Sequence, residues 1–521
     1  MEQDATNTGR KSFAHPLEAL CLILIFICFI LFLISLLEVF GIPYGLDYGE
    51  GYLSNMSLEM VGGNNPYHDI DEEPWIVSSY PPMFPLINGL IMSALGRSLL
   101  VGRFIATASL IGMIVFSVMI LRRFGVGASI AIILSCLLFA YSWPVKWAQV
   151  VRVDTLGIMF ALSGIYFFIK SDRISDTVIS AILFGAAALT KQSLLAAPLA
   201  CLIFSLIYRD KRTVPFFILL ILLIPGLYLL INLITSGGFF NHLFNYTANQ
   251  FHLSRMTQGL GTFFQDTLIL QIIALSSLFI PGATDGTRKV LVLYWILSNL
   301  TLFTYGYTGS DTNYYIEPLL STALLASLAV KKLAVEEKIT LPVSSRSMAF
   351  ALLIAVVITG RFIEPSDFRV HRMTDEKLQN GTQLIGLCAT APGDILSEDA
   401  SYTFLAGKTV IIQPYIMTLL SRTEKWDQEP FLRTIRENRY SLIILRVDLN
   451  DPYNTERSGG AWEIAGFDRW TDEMERAIME NYSLFGPLDT GVGNSPWFLY
   501  QRKADIRIHP DEPHLLTPVG N

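Results

Sequence analysis

The run Leu17–Phe40 constrains this chain more than any other feature. A bilayer core needs about 20 apolar residues in a helix, and comparable runs return at about 98–121, 126–144, 154–169, 177–191, 193–208, 214–234, 262–281, 290–305, 314–330 and 347–362. Soluble domains carry about 25% charged residues; here 16% are charged and 52% hydrophobic. The expected fold is an α-helical polytopic membrane protein with about eleven transmembrane helices, since a helix satisfies its own backbone in lipid. The first run is too long for a signal-peptide core and has no clear small-residue cleavage site, so it reads as a retained helix.

Basic residues orient these runs. Arg10 and Lys11, Arg122 and Arg123, Lys170 and Arg173, Arg209, Lys211 and Arg212, Arg288 and Lys289, and Lys331 and Lys332 fall at every other turn. Placing them all in the cytoplasm gives a multi-pass protein of the cell membrane, with a cytoplasmic tail (1–16), a transmembrane domain (17–362) and an extracytoplasmic domain (363–521). The stretch Met83–Leu95 is too short to cross, and a crossing would invert every later loop. It reads as a helix on the outer membrane surface, entered through Tyr80-Pro81-Pro82, which makes 41–97 one large outer loop. Beyond about 363, Asp394–Glu398, Ser441–Val447 and Trp497–Gln501 read as strands, and Glu429–Asn438 and Asp468–Asn481 as helices. This is the pattern of a small α/β domain. The net charge of −7 argues against a nucleic-acid partner, and the five cysteines form neither a disulfide framework nor zinc spacing.

Polar residues of unusual type gather on the outward side. Gly45-Leu46-Asp47-Tyr48-Gly49-Glu50-Gly51 follows the first run, with two carboxylates three residues apart among three glycines. An acid pair beside a span points to function, and a helical segment would put both acids on one face. Further outward are Arg152-Val153-Asp154, Thr190-Lys191-Gln192, a loop with His242 and His252, and a loop with Asp311, Asn313, Tyr314, Tyr315 and Glu317. Blander readings stand beside these. The cations can be snorkelling anchors, Asp154 is expected to pair with Arg152, the histidines fit no metal spacing and read as ordinary loop residues, and the tyrosines suit an interfacial belt.

The order of these motifs resembles the GT-C superfamily of integral-membrane glycosyltransferases, in particular bacterial relatives of protein O-mannosyltransferases (glycosyltransferase family 39) and the lipid A aminoarabinose transferase. The matching residues are Asp47-Tyr48-Gly49-Glu50-Gly51, Tyr80-Pro81-Pro82, Gly102-Arg103, Arg152-Val153-Asp154, Leu189-Thr190-Lys191-Gln192 and Asn313-Tyr314-Tyr315. Leu396-Ser397-Glu398-Asp399 with Ala406-Gly407-Lys408 looks like the outer domain of this group. The resemblance implies an inverting glycosyltransferase that takes sugar from a polyprenyl-phosphate donor at the outer face and passes it to a lipid, glycan or protein acceptor, with membrane lipids around it. It implies Asp47 as general base, with Glu50 positioning the acceptor or a metal. Lys191, Arg103 and Arg152 would meet the donor phosphate, and Tyr80, Asn313 and Tyr314 would complete the substrate site. Many relatives carry adjacent Asp-Glu where two residues here separate Asp47 from Glu50. No cofactor is specified, and dependence on a divalent metal stays open. The alternative class is a secondary transporter or lipid flippase, which calls for related halves and polar breaks in mid-span; neither is evident. The topology is tested by a reporter fused after Asn521. Activity outside the cytoplasm is expected, and activity confined to the cytoplasm would overturn this orientation.

Overall fold

The computed structural model describes residues 14–170, 173–208, 213–247, 249–282, 286–335, 345–361, 373–451, 469–492 and 495–503. Most of the N-terminal tail, with Arg10 and Lys11, and the basic residues Arg209, Lys211 and Arg212 lie outside the described residues. The chain divides into two compact units, 1–69 with 77–372 and 70–76 with 373–521.

In the first unit every expected apolar run contains a helix. By length and hydropathy, four helices among the described residues can cross a membrane: Pro16–Phe40, Leu99–Arg123, Thr213–Ile234 and Leu253–Ser276. Ile174–Thr190, Ala196–Ile207 and Arg346–Gly360 are apolar but shorter. The run expected as one straight span at 126–144 is instead a bent pair, Ala128–Phe139 and Ser142–Ala148, turned by 69°. Counting it as one span raises the number to five. Pro144, which has no N–H to donate, sits in the first turn of the second piece, where that loss costs least. Thr213–Ile234 carries a π turn at Leu222–Gly226 around Pro225, a common accommodation of proline within a helix. Phe26 and Leu37 of the first helix are exposed, as side chains facing lipid would be.

Small residues let the helices approach one another. A Cβ at Gly157 would stand 2.2 Å from Leu194 Cδ1, so glycine there lets the helix Asp154–Lys170 close on the turn after Thr190 without displacing the Leu194 side chain. The loop expected at 41–97 is largely structured. Gly49–Val61 is a helix, and Met83–Leu95 is a helix with the expected bounds. Between them, the seven residues 70–76 belong to the second unit.

The second unit holds a four-stranded mixed sheet in the order β1-β2-β4-β3, with β1 at Asp394–Ser397, β2 at Tyr440–Leu445, β3 at Tyr482–Leu488 and β4 at Trp497–Arg502. β1 and β2 are parallel, and β4 runs antiparallel to both β2 and β3. β3 escaped the sequence reading because Gly486 and Pro487 interrupt it and its pairing with β4 shifts between Leu484 and Gly486. The expected helices appear at Glu429–Arg436 and Asp472–Asn481. The segment 70–76 docks as a strand-like bridge: Trp75 N–H donates to the Ile411 carbonyl at 2.7 Å and Gln413 N–H to the Trp75 carbonyl at 2.9 Å. The Trp75 ring packs 5.3 Å from Phe431 and 6.4 Å from Trp426. Arg439 donates to Glu73 Oε1 at 2.8 Å and to Asp394 Oδ2 at 2.7 Å. Trp75 is 3% exposed, so Trp75→Ala is expected to destabilise the second unit by about 3–5 kcal/mol, as removal of a large buried aromatic does. Protease susceptibility of residues 373–503 checks this; cleavage as slow as in the wild type would show that the anchor is dispensable.

Candidate active site

Glu50 opens the helix Gly49–Val61 and is fully buried, as is Arg103 on the helix Leu99–Arg123. Arg103 Nε lies 2.8 Å from Glu50 Oε1 and Nη2 lies 2.9 Å from Oε2, the forked geometry of guanidinium on carboxylate. The other donors of Arg103 go to the carbonyls of Val39 (3.0 Å), Ile42 (2.6 Å) and Tyr44 (2.7 Å). All five N–H groups of the guanidinium are therefore used. Glu50 also accepts from the backbone N–H groups of Leu46 (2.7 Å), Asp47 (3.3 Å) and Val151 (2.9 Å). These two residues were expected to meet acceptor, metal or phosphate. Their bonding capacity is instead consumed inside the protein, which leaves a ligand no donor on Arg103.

Asp47 and Arg152 meet beside this pair, each at or next to a backbone N–H that Glu50 accepts from. Arg152 Nη2 pairs with Asp47 Oδ1, and the Gly49 N–H donates to the same oxygen at 3.0 Å. Oδ2 of Asp47 carries no bond among the described residues. A Cβ at Gly49 would lie 2.7 Å from Arg152 Cζ, so glycine is required for the guanidinium to reach Asp47. Arg152 Nη1 donates to the Tyr80 hydroxyl at 3.1 Å, and Cζ sits 5.2 Å from the centre of the Trp147 ring, a cation–π distance. Burial alone would lower the Arg152 pKa, but the charge of Asp47, with Tyr80 and Asp154, outweighs it and holds the guanidinium ionised. Burial pushes the Tyr80 phenol up, so it stays protonated despite Arg152.

Asp154 was expected to pair with Arg152. It pairs with Lys191 instead, Nζ to Oδ1 at 2.7 Å, and accepts from Asn313 Nδ2 at 3.0 Å. Arg152 is taken by Asp47. Lys191 Nζ also lies 4.3 Å from the centre of the Tyr314 ring. Six of the eight expected site residues thus fall into two neighbouring groups, Asp47 with Arg152 and Tyr80, and Lys191 with Asn313 and Tyr314 around Asp154, which interact through the charges of Arg152 and Asp154. Trp147 was not singled out in the sequence, and Gln192 was named there only as part of the Lys191 motif, without a role. Gln192 Nε2 donates to the Ser79 carbonyl at 3.3 Å. Trp147 adjoins Lys146 but carries no charge to attract notice.

Three buried polar atoms of this cluster, Arg152 Nε, Asp154 Oδ2 and Gln192 Oε1, have no hydrogen-bond partner in the described residues. Buried polar groups are nearly always bonded, so these atoms mark where water or a ligand belongs. Among the described residues no group of three or more His, Cys, Asp or Glu side chains is arranged to hold a metal ion. Chemically the site offers an oriented carboxylate with one open oxygen beside two fixed cations.

No known family profile matches the chain, and no curated protein matches it by sequence. Solved structures do match. ArnT from Cupriavidus metallidurans, bound to undecaprenyl phosphate, is 13% identical with a TM-score of 0.57 over 90% of this chain and 97% of its own. The arabinofuranosyltransferase AftD from Mycobacteria is 13% identical with a TM-score of 0.52 over 91% of this chain and 40% of its own. The oligosaccharyltransferase AglB from Archaeoglobus fulgidus, in complex with an inhibitory peptide and a dolichol-phosphate, is 12% identical with a TM-score of 0.50 over 92% and 75%. These are GT-C glycosyltransferases, and this chain shares their fold.

The buried pair makes a stability prediction. Glu50→Gln strands the charge of Arg103 and is expected to cost about 3–5 kcal/mol, read as a lowered thermal midpoint of the purified protein. Asp47→Asn, at a partly exposed pair, should leave that midpoint near the wild type. Equal midpoints for Glu50→Gln and wild type would remove the structural role.

Proposed function

We propose that this chain is an inverting glycosyltransferase that moves a sugar from a polyprenyl-phosphate-linked donor to an acceptor at the outer face of the membrane. The observation that carries this reading is the network Asp47–Arg152 and Asp154–Lys191, with unpartnered buried atoms on Arg152, Asp154 and Gln192. The shared fold with structures solved on undecaprenyl phosphate and dolichol-phosphate supports it. The reading places the N-terminus in the cytoplasm, about eleven helices in the membrane and the second unit outside.

In the proposed reaction Asp47 Oδ2 takes the proton of an acceptor hydroxyl as its oxygen attacks the anomeric carbon. The bond from that carbon to the phosphate oxygen breaks on the opposite side, so configuration inverts and polyprenyl phosphate departs. The leaving phosphate gains charge, and Arg152 and Lys191 are fixed in advance to receive it. Lys191 keeps donors beyond the one it gives Asp154, because an ammonium has three. Tyr80 holds Arg152, Asn313 holds Asp154 and Tyr314 faces the Lys191 ammonium. Glu50 and Arg103 do not touch substrate; they set the positions of Asp47 and Arg152.

The test is turnover by purified protein on a panel of polyprenyl-phosphate sugars with candidate acceptors, read as release of polyprenyl phosphate. Asp47→Asn keeps the side-chain shape and deletes the base, and is expected to lower turnover roughly 10²–10⁴-fold. Release from no donor by the wild type, or wild-type turnover by Asp47→Asn, would overturn the assignment.

A further inference from the structure

His242 lies in the π turn Asn241–Asn245, is fully buried, and takes no part in the chemistry above. Its ring bridges two distant points of the chain. Nδ1 lies 2.9 Å from the Ser78 backbone nitrogen and Nε2 lies 2.6 Å from the His68 carbonyl oxygen. The Ser78 N–H can only donate, so Nδ1 is the acceptor, and the carbonyl then takes the proton on Nε2. The bonding therefore requires the neutral Nε2–H ring; an imidazolium has no lone pair for Ser78.

The two bridged residues flank 70–76, the segment that leaves the first unit and returns to it. His242 thus closes the neck of that excursion. A second tie lies beside it, the Tyr67 hydroxyl donating to the Tyr80 carbonyl at 2.8 Å. Ser78 is two residues from Tyr80, whose hydroxyl holds Arg152. We propose that His242 is a positioning residue of the active site, a neutral clasp between His68 and Ser78 that fixes the approach to Tyr80 and opens when protonated. As a statement about catalysis this rests on the proposed function; as a statement about the clasp it does not.

The groups facing the ring are Tyr67 and His68, each with ring centres 5.9 Å away, Tyr246 at 5.3 Å, and the Asp69 charge. Burial pushes the imidazole down to about 4, and the His68 carbonyl bond and Asp69 offset only part of that. The sign follows directly. The closed clasp binds fewer protons than the open one, so acid favours opening, beginning near the ordinary histidine value of 6.5 and levelling off near 4. Opening should be about 20-fold more frequent at pH 5 than at pH 7.

Backbone amide exchange over residues 77–80 of the purified full chain, corrected for intrinsic rates, tests the clasp. The expected results are about 20-fold faster corrected exchange at pH 5 than at pH 7 in the wild type, and about tenfold faster exchange in His242→Phe at pH 7 from the lost bond. His242→Asn offers an acceptor and a donor but nothing to protonate, so it should restore protection at pH 7 and abolish the pH step. Retention of undecaprenyl phosphate, measured in parallel, should fall in His242→Phe and recover in His242→Asn. Unchanged exchange in His242→Phe, or a pH step that persists in His242→Asn, overturns the clasp. Faster exchange in His242→Phe with unchanged lipid retention overturns the positioning role. A wild type that retains no lipid overturns that role together with the proposed function, while the exchange arms still decide the clasp.

Discussion

The Glu50–Arg103 ion pair is the interaction on which the rest of the candidate site depends. Taking two charges fully out of water is expensive, and a buried pair repays that only with excellent geometry and further hydrogen bonds. Here Arg103 spends its remaining donors on the carbonyls of Val39, Ile42 and Tyr44, and Glu50 accepts from the N–H groups of Leu46, Asp47 and Val151. One pair thereby ties the end of the first helix, the segment after it, the helix Leu99–Arg123 and the turn before Asp154. Its contribution is geometric as much as energetic. Asp47 and Arg152 each neighbour a backbone group that Glu50 holds, so the carboxylate and guanidinium meet without either reaching far.

Around that hub the charges alternate: Asp47 with Arg152, Asp154 with Lys191. Four fixed charges of net zero keep a site assembled in the absence of ligand, and fixed dipoles and cations of this kind need little reorganisation when charge develops. They also imply exchange of partners. In the proposed reaction a phosphate arriving between Arg152 and Lys191 would compete with Asp47 and Asp154 for them and so free Asp47 for a proton. The unpartnered Arg152 Nε and Asp154 Oδ2 lie in the part of the network where such an exchange would begin.

Much of this was legible in the sequence, because apolar runs of bilayer length leave few alternatives and because charges beside them stand out. Asp47, Arg152 and Lys191 were singled out by that contrast. What could not be read were the partners. Arg103 sits among carbonyl groups, and backbone acceptors have no signature in side-chain identity, so its burial beside Glu50 was invisible. Asp154 lies two residues from Arg152, yet its side chain meets Lys191, a choice made by helix packing over Gly157 and not by spacing. The bend after Phe139 and the strand Tyr482–Leu488 failed for local reasons, a proline near a helix start and a Gly-Pro pair within a strand. The excursion of 70–76 into the second unit rests on Trp75 and Arg439, residues remote in sequence that no periodicity connects.

In the proposed function the Arg152–Lys191 cluster binds the phosphate of a polyprenyl lipid. Native mass spectrometry of the purified protein, offered undecaprenyl phosphate and the uncharged undecaprenol at equal concentration, tests it most directly. The account predicts that the phosphate lipid is retained in preference to the alcohol and that Lys191→Ala loses this preference. Equal retention of the two lipids, or an undiminished preference in Lys191→Ala, would contradict it.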